Sequence, residues 1–182
     1  MIYLKTDEEV ELLRASNNLL GMTYGELAKV IAPGVSTAEL DRLAEEFIRD
    51  HGCIPSCKGF EGYPATLCTS VNEQVVHGIP SKKQVLKEGD VVSLDCCVLL
   101  NGFHADSAYT FPVGEVSEEV MKLLRTTKEA LYLGIEQAVT GKRLGDISFA
   151  VQHHCESAGY SVVREFVGHG IGREMHEDQE GP

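Results

Sequence analysis

The sequence predicts an α/β fold made from a repeated helix–helix–strand unit, and three observations carry that expectation. The run VVSLDCCVLLNGFHADSAYTFPV (91–113) sets Asn101-Gly102 between two apolar, β-branched and aromatic stretches. That is the strongest short-range signal for a two-residue hairpin, because both turn positions need positive φ. Four further segments carry apolar residues at helical spacing. The order of these marks also repeats. Gly34, Glu39, Leu40 and Gly52 are echoed 107 residues on by Gly141, Asp146, Ile147 and Gly159, and each half then reaches His-Gly-Ile, at 77–79 and 169–171. Each match is weak, but their shared order points to one domain over 1–182 with pseudo-repeats at about 7–113 and 117–182.

In chain order, Thr6-Asp7-Glu8-Glu9 reads as a capping box. It opens a long helix with Leu12, Leu13, Leu19, Leu20, Leu27, Val30 and Ile31 on its core face, ended by Pro33-Gly34. Ser36 to Glu39 is a second box, before Leu40, Leu43, Ala44, Phe47 and Ile48, and Gly52 stops that helix. Residues 53–64 are rich in turn formers and 65–71 read as a short strand. His77 lies in a loop or strand end beside Gly78 and Pro80. A single histidine is most often structural, but these neighbours suggest a backbone shaped to expose it. Ser117 caps a third helix with Val120, Leu123, Leu124, Leu131, Ile135, Ala138 and Val139 on its face. A fourth helix is expected from Leu144 to Ser157, and a strand-like stretch from Ser161 to Val167.

The hairpin register carries the chemistry. A two-residue loop pairs Leu100 with Phe103, Val98 with Ala105, Cys97 with Asp106 and Asp95 with Ala108. One face is then apolar, and the other holds Ser93, Asp95, His104, Asp106 and Thr110. Asp95 and Asp106 become diagonal neighbours, roughly 7–8 Å apart at the backbone. Two readings stand. They are surface aspartates on a solvated face, or an oxygen-rich site for one or two divalent metals, since a covered carboxylate needs a partner or an ion. The apolar flanking runs suggest a strand covered on both sides and favour the second.

Composition narrows the function classes. A net charge of −12, with no basic cluster longer than Lys82-Lys83, argues against a dedicated nucleic-acid or anionic-membrane surface. The N-terminus resembles neither a signal nor a transit peptide, and no apolar run reaches membrane-spanning length, so a cytoplasmic protein is expected. The six cysteines include no complete zinc-finger spacing and read as reduced thiols.

With both aspartates and GHGIG in view, the chain resembles a type I methionine aminopeptidase of bacterial kind. The resemblance rests on GYPATLCTSVNEQVVHGIP (62–80), LKEGDVVSLDCCVLLNGFHADSAYTF (86–111) and GHGIGREMHEDQ (168–179), and it runs from the first helix onward. It implies the internally pseudo-symmetric pita-bread α/β fold and a complete site holding two divalent ions (Co, Mn, Fe, Zn or Ni). It assigns Asp95, Asp106 and His169 as metal ligands and His77 and His176 as the catalytic histidines that contact substrate. It also assigns Cys57, Phe60, Tyr63, Cys68 and Met175 to an apolar pocket for the methionine side chain. His104 is not a ligand in that family. The implied reaction is removal of N-terminal methionine from nascent proteins and peptides with a small second residue. The implied setting is a monomer with the ribosome as a partner. The family's two glutamate ligands are expected downstream of Pro182. The repeat agrees: a counterpart hairpin would begin eighteen residues after His169, near position 187. The expectation is therefore a chain truncated at its C-terminus. An inactive fragment or binding module lacking those glutamates is the alternative, and a proline-specific relative is a third reading.

Overall fold

The structure is a computed structural model that describes residues 2–181. It divides into two compact units, residues 2–116 with 171–177, and residues 117–170 with 178–181.

The first unit is built on the hairpin. Strands β3 (Val91–Leu100) and β4 (Phe103–Pro112) pair in the register expected from the sequence, with Cys97 opposite Asp106 and Asp95 opposite Ala108. Asn101 and Gly102 turn with φ of 53° and 81°, the positive values that select Asn-Gly. The other edge of β3 pairs antiparallel with β1 (Ile54–Pro55) and β2 (Leu67–Val71). Strand β2 starts two residues later than the sequence suggests. The N–H groups of Thr66 and Leu67 both donate to one carboxylate oxygen of Asp41, at 2.8 Å each.

Two helices cover the apolar face. Helix α1 (Asp7–Ala28) begins with the expected capping box, Thr6 Oγ1 accepting from Glu9 N and Glu9 Oε2 from Thr6 N. It ends before Val30 and Ile31, which fall outside the helix. The closing turn tightens to bonds three residues back, Lys29 N to Glu26 O and Val30 N to Leu27 O. Helix α2 (Thr37–Asp50) is capped by Ser36. Leu19, Leu20 and Leu27 of α1, Leu40, Ala44 and Ile48 of α2 and Val92, Leu94, Cys96 and Val98 of β3 form one buried core. The Tyr24 hydroxyl crosses this core to donate to the carbonyls of Leu94 and Ser107, tying α1 to both hairpin strands.

The second unit pairs α3 (Glu118–Gln137) with α4 (Leu144–Ser157). Their contact differs from the expected one. Its buried residues on α3 are Thr126, Ala130 and Gly134, small enough for close approach: a Cβ at Gly134 would lie 2.9 Å from Val151. The larger side chains of the expected core face are mostly exposed, Leu131 at 58%, Ile135 at 54% and Val139 at 56%. The stretch 161–167 forms no strand. Strand pairing instead joins β5 (Gly168–Gly170) to β6 (Glu177–Gly181). Among the described residues no helix is long and apolar enough to cross a membrane.

Candidate metal centre

The half-buried face of the hairpin gathers the donors. On β3, Asp95 and Cys97 are two residues apart and project to the same side, and Asp106 on β4 stands directly opposite Cys97. One ligand atom from each, two carboxylate oxygens and the Cys97 sulfur, lies within 4.8 Å of the others. The carboxylates are half-buried and Cys97 is 4% exposed. This donor set fits a divalent cation. Carboxylates so close favour a positive neighbour, and oxygen with sulfur suits ions of intermediate softness.

A wall of thiols closes one side. Cys68 on β2 is the register partner of Asp95 across the sheet. Cys57 reaches the same face from the turn after β1, where Ser56 N donates to Cys97 O at 2.9 Å, and its thiol hydrogen-bonds that of Cys97. That bond holds the Cys57 thiol below the usual value, against burial and the two carboxylates. The same bond, with burial and the Asp106 charge, drives Cys97 far above it. Burial pushes Cys68 up to about 11, opposed by a hydrogen bond with Tyr63. All six cysteines are free thiols, as the sequence suggests.

Tyr63 joins this wall to the loop that carries His77. Its hydroxyl donates to Leu67 O at 3.0 Å and Gly78 O at 3.1 Å. Gly78 packs against β2, with its N–H on Ser70 Oγ at 3.1 Å and its carbonyl accepting Thr69 N at 2.7 Å. A Cβ at position 78 would run into the Thr69 carbonyl, so this close approach requires glycine. His77, immediately before it, is exposed and held at φ 59°, left-handed backbone that a non-glycine residue seldom adopts.

The segment 171–177 brings the next group. Gly172 O accepts from His104 N at 2.8 Å, Arg173 lies over the Phe103 ring at 4.6 Å and pairs with Glu9 at 3.1 Å, and Lys5 pairs with Glu177 at 2.6 Å. These ties bury Met175 and set the His176 ring edge-on to Phe60, centroids 5.3 Å apart. His104 takes Ser56 Oγ on its Nδ1 at 2.9 Å. Burial lowers its pKa, with the His176 charge acting the same way against Glu174 and Asp106. His169 lies on β5 of the second unit, exposed, with Nδ1 3.0 Å from the Gly170 carbonyl.

The structure thus brings together Asp95, Asp106, Cys57 and Cys68, adds Tyr63, and pairs Phe60 with His176. The donor that sequence reasoning missed is Cys97. Its signal was present, since the hairpin register sets it opposite Asp106, but the six cysteines read only as reduced thiols.

Two carboxylates and a thiol on the half-buried face of a hairpin, opposite the face that the helices cover, define a candidate metal centre in an α/β protein. The chain belongs to metallopeptidase family M24, whose model matches residues 11–182. Within that family it is similar to methionine aminopeptidases. It is 55% identical to the enzyme of Clostridium acetobutylicum and 49% identical to methionine aminopeptidase 1 of Bacillus subtilis, over all 182 residues and 73% of each relative. The crystal structure of methionine aminopeptidase from Thermotoga maritima matches all of this chain, and 73% of that one, with a TM-score of 0.97 at 41% identity. The pita-bread α/β fold and the family expected from the sequence are both borne out.

Proposed function

We propose that the chain is a metal-dependent aminopeptidase that removes N-terminal methionine from nascent proteins and peptides with a small second residue. The observation that carries this reading is the convergence of Asp95 and Asp106 on one half-buried face in a chain of family M24. When bound, a divalent ion there supplies Lewis acidity, lowering the pKa of water and polarising a carbonyl. Asp95 and Asp106 hold it, and His169 enters the ligand set through the GHGIG motif. Mn²⁺, Fe²⁺, Co²⁺, Zn²⁺ and Ni²⁺ are the candidate ions, two in a complete site.

The remaining residues bind and orient. His77 and His176 donate hydrogen bonds to substrate and support charge developing on the scissile carbonyl oxygen. Cys57, Phe60, Tyr63, Cys68 and Met175 receive the methionine side chain on soft, apolar surface. We read the protein as a cytoplasmic monomer acting on chains as they leave the ribosome, and residues of about 7–113 and 117–182 as its two pseudo-repeats.

The test is methionine release from a Met-Ala-Ser peptide with Mn²⁺ or Co²⁺ supplied. The chain spans 73% of the length of the Clostridium and Bacillus relatives. The assay is therefore run on the 182-residue chain and on the same chain extended by the segment that follows the aligned part of the Clostridium relative. Metal-dependent release by either protein, abolished by Asp106→Ala, is the expected result. No release from both proteins, with metal bound, contradicts the assignment.

A further inference from the structure

We propose that Cys97 supplies a thiolate ligand to the ion held by Asp95 and Asp106, so that this centre takes thiophilic divalent cations, Zn²⁺, Co²⁺ and Cd²⁺, through mixed oxygen and sulfur coordination. The inference rests on the metal-site reading above and adds a donor that the carboxylate–histidine set lacks. Hairpin geometry makes the argument. Asp95 and Cys97 share a strand face two residues apart, and Asp106 faces Cys97 across the ladder, so the three donors form a triangle. Their ligand atoms span no more than 4.8 Å. Metal–sulfur bonds of about 2.3 Å and metal–oxygen bonds of about 2.0–2.2 Å put donors around one ion at most about 4.5 Å apart, so a small closing movement brings this triangle to ligating size.

The neighbours fit a ligand better than an inert buried thiol. Cys96, one residue earlier, turns to the opposite face and belongs to the apolar core, with hydrocarbon around it. Cys97 turns instead to the carboxylate face. An ion on Asp95 and Asp106 replaces their repulsion of a thiolate with attraction, and a coordinating thiol gives up its proton. On binding, the S–H bond breaks, the proton leaves to solvent, and the sulfur lone pair goes to the ion, with no change of oxidation state. The Ser56 N–H, donating to the Cys97 carbonyl at 2.9 Å, holds the backbone behind this donor in place, as groups behind metal ligands commonly do.

The experiment is a Co²⁺ titration of the 182-residue chain followed by absorption. Visible d–d bands with a near-ultraviolet thiolate-to-cobalt charge-transfer band are expected. Cys97→Ser, close in size, removes the charge-transfer band and keeps the d–d bands. Cys155→Ser, on α4, changes neither, and Asp95→Asn removes both. The Cd²⁺ dissociation constant rises about tenfold or more in Cys97→Ser, whereas that for Mn²⁺, which prefers oxygen, moves less than about threefold. Visible bands without charge transfer in the native chain overturn the thiolate ligand and leave the carboxylate site standing. A charge-transfer band that survives Cys97→Ser also overturns it. No cobalt bands at all overturn this inference and the metal-site reading together.

Discussion

His104 and Cys97 are the two residues whose roles a reading of the chain could not settle. Both sit on the carboxylate face of the hairpin, and the register places both there. What the pattern lacks is the third dimension, namely that Ser56 closes on the His104 ring and Cys57 on the Cys97 sulfur. Gly78 is a similar case. Its position beside Pro80 suggested a shaped backbone, but the reason, the Thr69 carbonyl where a Cβ would stand, needs the neighbouring strand. His104 also gives a pH prediction. Its folded-state pKa lies below the usual 6.5, chiefly through burial. The unfolded chain therefore binds protons more readily, and stability from this residue is full above about 6.5 and lost as pH falls below it. Urea unfolding at pH 7.5 and pH 5.5 should show a smaller acid loss in His104→Gln than in the native chain. An equal loss in both would remove His104 as a source of acid sensitivity.

Among the elements, those with local signals were legible and those fixed by packing were not. The hairpin, its Asn-Gly turn, the Thr6 box and the Ser36 and Ser117 caps all follow from short-range chemistry. Helix α4 spans the residues expected of it. The face of α3 does not follow. Leu131 and Ile135 have the right spacing for a core, yet the helix meets α4 through Thr126, Ala130 and Gly134, because close approach selects small residues. Apolar periodicity shows which stripe can be buried, not which partner takes it. The start of β2 depends likewise on Asp41, 25 residues or more away in sequence. Here the carboxylate accepts two backbone N–H groups, but burial raises its pKa, so its charge opposes folding at neutral pH. Asp41→Asn keeps an acceptor without the charge and is expected to be near neutral or stabilising. Asp41→Ala strands both donors and should cost about 1–3 kcal/mol. Chemical denaturation of the two variants checks the pair, and equal losses would contradict the account.

For the whole molecule, the repeat of helix, glycine, helix, glycine and His-Gly-Ile was visible before any coordinates. In the unit of residues 2–116 with 171–177, the helix pair is matched by a four-stranded sheet. In the unit of residues 117–170 with 178–181, the helix pair accompanies a two-stranded one. The chain spans 73% of the length of its Clostridium acetobutylicum and Bacillus subtilis relatives. Family and fold were therefore readable from three motifs, because those motifs carry the proposed ligands and the turns beside them. The central claim is that Asp95 and Asp106 together hold a divalent ion. The measurement that tests it most directly is calorimetric titration of the chain with Mn²⁺, an ion whose binding depends on carboxylates rather than thiols. The account predicts saturable binding that weakens at least tenfold, about 1.4 kcal/mol, in Asp95→Asn and again in Asp106→Asn, with the fold retained by circular dichroism. Unchanged Mn²⁺ affinity in both variants would contradict it.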